Sequence, residues 1–304
     1  MNTGTIIKTS ALSYRYANDS QTLCDINLRV QKGAVYGFLG PNGSGKTTTL
    51  SLLLGLLKLQ EGSIDIFGQS ITHNRTSILQ KTGSLIESPS LYGHLTAREN
   101  LEVYRRIYGV PKERVDKVLK IMDLETTATK LVKRFSLGMK QRLAIALALL
   151  PKPELLILDE PGNGLDPNGI VELRNLVKKL NTVYGMTLVI SSHILSEVEK
   201  MVTHVGIISG GRMLFQGSMQ ELKLLEQKQS KLVIKTSDNE SAYRILQDFY
   251  PERNCQTLLV PFQTNAEVAQ INRMLIHNDL DVYQLQPTEN NLEQLFIELT
   301  NNQS

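Results

Sequence analysis

The sequence predicts an α/β fold with a mostly helical insert, followed by a small α+β C-terminal domain. From residue 5 to about 217, short β-like runs alternate with amphipathic helical ones, the pattern of a sheet covered by helices. Between 88 and 150 that alternation gives way to helix-like segments with almost no β-rich run. Past a polar, helix-prone connector at 218–230, the order over 231–304 is β-α-β-α-β-α. The expected organisation is therefore a domain over 1–217 carrying the insert at about 88–150, the connector, and a second domain over 231–304.

In chain order, Ala34–Leu39 is an apolar strand candidate that runs into Gly40-Pro41-Asn42-Gly43-Ser44-Gly45-Lys46-Thr47, and the Leu-rich run Thr48–Leu57 follows as a helix. Further strands are expected at Ser63–Phe67, Thr82–Ile86, Leu155–Leu158, Thr187–Ser191 and Val205–Ser209. In the insert, Ala97–Tyr108, Lys112–Met122 and Gly138–Leu150 read as helices. Gly210-Gly211 between apolar runs is a hairpin signal. In the tail, Leu232–Lys235, Leu258–Val260 and Val282–Leu285 read as strands. Ala242–Phe249, Ala266–Asn278 and Leu292–Leu299 read as helices, the first and last each with one apolar stripe at i, i+3, i+4, i+7.

A chain of 304 residues buries a full core with room for a second small domain. Lys+Arg 33 against Asp+Glu 30 leaves +3, with basic residues dispersed, so no nucleic-acid partner is expected. Leu52–Leu57 and Leu143–Leu150 fall far short of the ~20 apolar residues needed to cross a bilayer. The N-terminus shows no export signal, and the expectation is a cytosolic chain. Cys24 and Cys255 lie in no metal-like spacing and read as free thiols.

The octapeptide Gly40–Thr47 matches the phosphate-binding pattern G-x-x-x-x-G-K-[ST] at every fixed position. Backbone N–H groups of such a turn point at a phosphate, and glycine lets the backbone come close. Lys46 would reach the β- and γ-phosphates, and Thr47 would ligate Mg²⁺. Leu155–Leu158 ends in Asp159 and Glu160, carboxylates at a strand end. Asp159 can hold Mg²⁺, and Glu160 is placed to accept a proton from a water attacking the γ-phosphate. Ser136, Leu137, Gly138 and Met139 precede an apolar helix; alone, this stretch reads as an ordinary capped helix start. His193 follows another strand and could donate to a γ-phosphate. The other four histidines read as structural or exposed.

Together and in this order, these pieces resemble the ATP-binding subunit of ABC transporters over about residues 5 to 217. Gly40–Thr47 resembles the Walker A motif and Leu155–Glu160 the Walker B motif. Phe135-Ser136-Leu137-Gly138-Met139 is similar to the LSGGQ signature, Gly164-Leu165-Asp166 to the D-loop, and His193 to the switch histidine. The resemblance implies a P-loop ABC ATPase core with a helical subdomain, with ATP and Mg²⁺ as cofactors. It further implies ATP contacts at Gly40 through Thr48, Tyr16 stacking on adenine, and Glu160 and His193 as the catalytic pair. Two such subunits would pair head to tail, so that Ser136 and Gly138 serve the neighbour's γ-phosphate, beside transmembrane permease subunits at the inner face of the membrane. The signature departs from the strict motif at Leu137 and Met139. Glu87 stands where the family places the Q-loop glutamine and joins Thr47 and Asp159 as an expected Mg²⁺ ligand. That glutamate resembles the "E-loop" subgroup linked to bacitracin resistance and lantibiotic immunity, which implies a peptide-antibiotic exporter. A soluble ABC ATPase of ribosomes or DNA, or an ATP-gated adaptor, are the competing readings.

Overall fold

The computed structural model describes residues 4–17, 22–86, 90–228, 231–262, 264–288 and 292–301. The chain divides into two compact units, Met1–Met219 with Thr300–Ser304, and Gln220–Leu299.

The first unit opens with β1 (Thr5–Tyr14), β2 (Leu23–Ile26) and β3 (Arg29–Gln31), followed by β4 (Val35–Leu39) and α1 (Lys46–Leu53). Next come β5 (Glu61–Ile66), β6 (Gln69–Ser70), α2 (Ile71–Leu79) and β7 (Thr82–Leu85). Helices α3 (Ala97–Tyr108), α4 (Glu113–Ile121) and α5 (Leu137–Leu149) lie between β7 and β8 (Leu155–Leu158). The unit then runs through α6 (Pro167–Thr182), β9 (Thr187–Ser192), α7 (Leu195–Val198), β10 (His204–Ser209) and β11 (Arg212–Ser218).

Two sheets result. The larger has the order β11-β10-β4-β9-β8-β7, parallel from β10 to β7. Every residue of β4, β8 and β9 is buried, as a parallel sheet covered on both faces requires. Only β11 is antiparallel, closing on β10 through Gly210-Gly211. Both glycines have positive φ, 52° and 72°, as the favoured two-residue hairpin demands. The second sheet, β2-β1-β5-β6 with β3 also on β1, is antiparallel. Of its strands only the one at Ser63–Phe67 was expected: β2 and β3 are too short to show a period of two, and the long β1 was missed because its alternation breaks where the register shifts around Ala11, at φ 48°. Ile7, Leu12, Ile26 and Ile64 from this sheet share one buried cluster with Phe38 of β4 and Leu50 and Leu53 of α1. Each such side chain contributes roughly 1.5–3 kcal/mol by leaving water.

The insert holds α3 to α5 among its described residues, and no named strand. A capping box opens α3: Thr96 Oγ1 accepts from Glu99 N at 3.2 Å and Glu99 Oε2 accepts from Thr96 N at 2.7 Å. Buried Asn100 ties the approach to α3, accepting from Tyr92 N at 2.9 Å and donating to Tyr92 O at 3.1 Å.

In the second unit α8 (Met219–Lys228) leads to β12 (Lys231–Thr236), α9 (Asn239–Ile245), β13 (Glu252–Asn254), β14 (Thr257–Pro261), α10 (Asn265–His277), β15 (Val282–Pro287) and α11 (Leu292–Asn301). The sheet order is β13-β14-β12-β15, antiparallel throughout. The β-α-β-α-β-α expectation thus lacked β13, a three-residue strand of exposed polar residues that carries no apolar signal. Leu232, Ile234, Leu246, Leu258, Ile271 and Leu275 form this unit's own buried core.

Candidate active site

Strands β4, β9 and β8 lie side by side, with Leu39 opposite Ser192 and Leu158 opposite Ile190, so their C-terminal ends open onto one place. Ligands of parallel α/β sheets bind at such ends.

At the end of β4 the chain turns through residues 40–45. A Cβ on Gly40 would collide with the Ile208 carbonyl oxygen, and Gly45 sits at φ 103°. Only glycine meets both demands. Ser44 N donates to Pro41 O at 3.2 Å, closing the turn. No side chain caps α1 at Gly45, so its first N–H groups remain available to an anion. Ser44 Oγ is buried without a hydrogen-bond partner among the described residues, as fits a hydroxyl reserved for a ligand.

Lys46, 5% exposed, bends its ammonium back into this loop. It donates to Gly40 O at 2.8 Å and Pro41 O at 3.2 Å, and lies 3.3 Å from Glu160 Oε1. Thr47 Oγ1 donates to Asp159 Oδ2 at 2.8 Å, which joins α1 to the end of β8. The other Asp159 oxygen accepts from the Ser191 hydroxyl, and Ser191 Oγ in turn accepts from Glu160 N at 2.8 Å. Glu160 Oε2 meets His193 Nδ1 at 2.8 Å. Glu160 itself holds φ 46°, a left-handed conformation uncommon outside glycine.

The structure thus brings Lys46, Thr47, Asp159, Glu160 and His193 into one contact network. Ser191 was not anticipated, although the polar end of the otherwise apolar run Thr187–Ser192 is a usable signal. The network holds two carboxylates, Asp159 and Glu160, and one buried ammonium, that of Lys46, so a triphosphate placed here calls for a further cation. The Thr47 hydroxyl and Asp159 carboxylate are hard oxygen donors suited to Mg²⁺. No group of three or more His, Cys, Asp or Glu forms a metal cage among the described residues. An ion held by one carboxylate, one hydroxyl and substrate phosphates suits that donor set.

Asn42 and Gly43 sit exposed at the loop tip, and Thr48 is buried on α1. Tyr16, 42% exposed, lies beyond β1 with its ring edge-on to Tyr14, centroids 5.0 Å apart. Ser136 caps α5, accepting from Met139 N at 3.3 Å. Among the described residues no hydrogen bond joins 136–139 to the loop. The start of α5 instead packs beside Gly164-Leu165-Asp166: a Cβ on Gly164 would lie 3.1 Å from Leu137 Cδ2, and one on Gly138 3.8 Å from Leu165 Cδ2. Asp166 caps α6, accepting from Gly169 N at 2.8 Å. Leu137 also lines a cleft of about 690 Å³ with Lys133, Lys140, Asp159 and Glu160. Glu87 lies outside the described residues.

The family described as ABC transporter matches residues 23–163. The chain is 42% identical over 300 residues, 97% of each chain, to the bacitracin transport ATP-binding protein BcrA of Bacillus licheniformis. It is 42% identical over 205 residues, 67% of this chain and 88% of the relative, to the lantibiotic transport ATP-binding protein SrtF of Streptococcus pyogenes. Among solved structures, cbiO1 from Clostridium perfringens, part of the ABC transporter complex cbiONQ, is similar at a TM-score of 0.68 and 27% identity, over 80% of this chain and 95% of that one. A dimeric ATP-binding cassette in a post-hydrolysis state, bound to ADP and Pi, is similar at a TM-score of 0.61 and 26% identity, over 70% of this chain and 98% of that one. With a phosphate loop, two strand-end carboxylates and a histidine converging in an α/β cassette, and with similarity running nearly end to end, the chain belongs to the ATP-binding proteins of ABC transporters and is an ABC-type ATPase.

Proposed function

We propose that this chain is the ATP-hydrolysing motor of a membrane exporter that removes peptide antibiotics of the bacitracin or lantibiotic type. The observation that carries the ATPase site is the contact chain Lys46–Glu160–His193 beside Thr47–Asp159. The substrate class rests on the near full-length similarity to a bacitracin transport ATP-binding protein. That similarity favours a transporter over the ribosome-directed, DNA-directed and adaptor readings.

Loop N–H groups and Lys46 bind the β- and γ-phosphates, and the adenine stacks on Tyr16. Thr47 and Asp159, with Glu87 from outside the described residues, would hold Mg²⁺, which would supply positive charge to the phosphate oxygens. Glu160 accepts the proton as a water oxygen bonds to the γ-phosphorus and the bond from that phosphorus to the bridging oxygen breaks. His193 donates to the γ-phosphate. In the structure Lys46 neutralises Glu160; a triphosphate draws the ammonium toward itself and leaves the carboxylate free to act as base.

Ser136 and Gly138, with Leu137, Met139 and Asp166 beside them, serve the nucleotide of a second copy. ATP therefore bridges two chains, and hydrolysis releases them, a two-state element biased by its ligand. No helix of the described residues is long and apolar enough to cross a membrane. The chain would act at the inner face through permease subunits, reached by α3 to α5.

Glu160→Gln tests the assignment. ATP binding should persist, turnover should fall about 10²- to 10⁴-fold, and a dimer should accumulate with ATP in size-exclusion chromatography. Wild-type hydrolysis in this variant would refute the role of Glu160.

A further inference from the structure

Gln60 is an exposed residue with no part in the mechanism above, yet its amide is bonded at both ends. Its Oε1 accepts from Arg15 N at 2.8 Å, and its Nε2 donates to Arg15 O at 2.9 Å. Gln60 directly precedes β5, whose Glu61 pairs with Ser13 of β1. The side chain therefore carries the antiparallel ladder past the last strand residues, taking both main-chain groups of the residue before Tyr16.

Pinning the Arg15 N–H and C=O holds the peptide planes on either side of that residue, and with them its φ and ψ. The second of those planes carries Tyr16, so its side chain leaves the backbone in one direction. Tyr14 is a further anchor: it packs against the buried cluster of this unit, and its ring stands edge-on to Tyr16 with centroids 5.0 Å apart. Across the sheet Tyr14 pairs with Leu23, and a Cβ on Gly45 would collide with Leu23 Cδ2, which sets this strand pair against the phosphate loop. Tyr16 so held is 42% exposed, leaving ring surface open to a ligand. Both Gln60 bonds lie in water, where each adds only a modest net gain, and ordering a glutamine offsets part of it. Their effect is local, on the backbone beside Tyr16.

We propose that Gln60 is a positioning residue for the nucleotide base, holding the backbone beside Tyr16 so that the ring is preset to stack on adenine. The proposal rests on the reading of Tyr16 as the adenine platform. Without the clamp, Arg15 gains backbone freedom that base stacking must remove, and affinity falls by that cost. The triphosphate, taken by the loop and Lys46, does not bear it. Gln60 thus acts on the base-dependent part of binding and leaves the phosphate-dependent part alone.

The test is calorimetric titration of the full chain with ATP and with inorganic tripolyphosphate, each with Mg²⁺, for the wild type, Gln60→Leu, Tyr16→Ala and the double variant. Gln60→Leu keeps the size of the side chain and removes both hydrogen bonds. Its Kd for ATP should rise roughly 3- to 10-fold while its Kd for tripolyphosphate stays within about twofold of the wild type. In the Tyr16→Ala background Gln60→Leu should weaken ATP no further, because the two act through one ring. Wild-type affinity for ATP in Gln60→Leu overturns the proposal, as does an equal loss for both ligands, which marks general damage to the site. Fully additive losses in the double variant overturn it too. Tyr16→Ala separates this proposal from the reading beneath it: if Tyr16→Ala weakens ATP and Gln60→Leu does not, only the role of Gln60 fails. If Tyr16→Ala binds ATP as the wild type does, the platform itself fails.

Discussion

Lys46 holds its buried ammonium against three oxygens, those of Gly40, Pro41 and Glu160, and these are the contacts a triphosphate must replace. Its neighbour Thr47 faces a different partner, the Asp159 carboxylate, and in the function proposed Lys46 serves the phosphates and Thr47 the metal. Thr47→Val preserves shape and removes only the hydroxyl. The Mg²⁺ concentration for half-maximal ATPase activity should rise roughly tenfold or more, while fluorescent-ATP binding in the presence of EDTA stays unchanged. A matching loss without metal would mean that Thr47 contacts the nucleotide instead. Glu197, half-buried on α7, adds a pH signature. Burial raises its carboxyl in the folded chain from an ordinary value of 4.5. The destabilisation is therefore absent below that ordinary value and grows as pH rises through the folded one. Any Tm gain of Glu197→Gln should be present near about pH 8 and vanish near about pH 4, read by thermal melts across that range.

At the scale of elements, Ala97–Tyr108 forms the expected helix, and the structure shows what bounds it: Thr96 and Glu99 make a capping box and Gly109, at φ 65°, ends it in the left-handed region. Thr96→Ala should cost about 0.5–2 kcal/mol, felt within α3 and measurable as faster hydrogen exchange of its first-turn amides. Uniformly faster exchange across β4 and β8 would contradict a local cap. The Gly210-Gly211 hairpin was legible, since two successive positive φ values single out glycine. Over Ala242–Phe249 the apolar stripe was right but the helix was not continuous. It stops at Ile245, Leu246 takes a non-helical backbone, and a 3-10 turn completes the run. The stripe reports burial, and Leu246 is fully buried in either geometry. Short strands were least legible, because three or four residues supply too little alternation to register.

On the scale of the whole molecule, the ATPase site draws all its described residues from the first unit, while the second closes a core of its own. Leu246→Ala should therefore destabilise the second unit by about 2–5 kcal/mol and leave nucleotide affinity at the wild-type value, checked by calorimetry alongside fluorescent-ATP titration. A parallel loss of affinity would show that the site depends on that core. The sequence by itself determined the phosphate loop, the carboxylate pair, the histidine, and their places at strand ends and a helix start. Those are contiguous signals, carried by glycine, charge and apolar runs within a few residues. Which strand ends meet was decided only by the tertiary structure, because strand pairing is a choice between segments far apart in the chain. The order β4-β9-β8 seats Ser191 between Asp159 and the Glu160 backbone and sets His193 on Glu160, and neither contact is written in any local pattern.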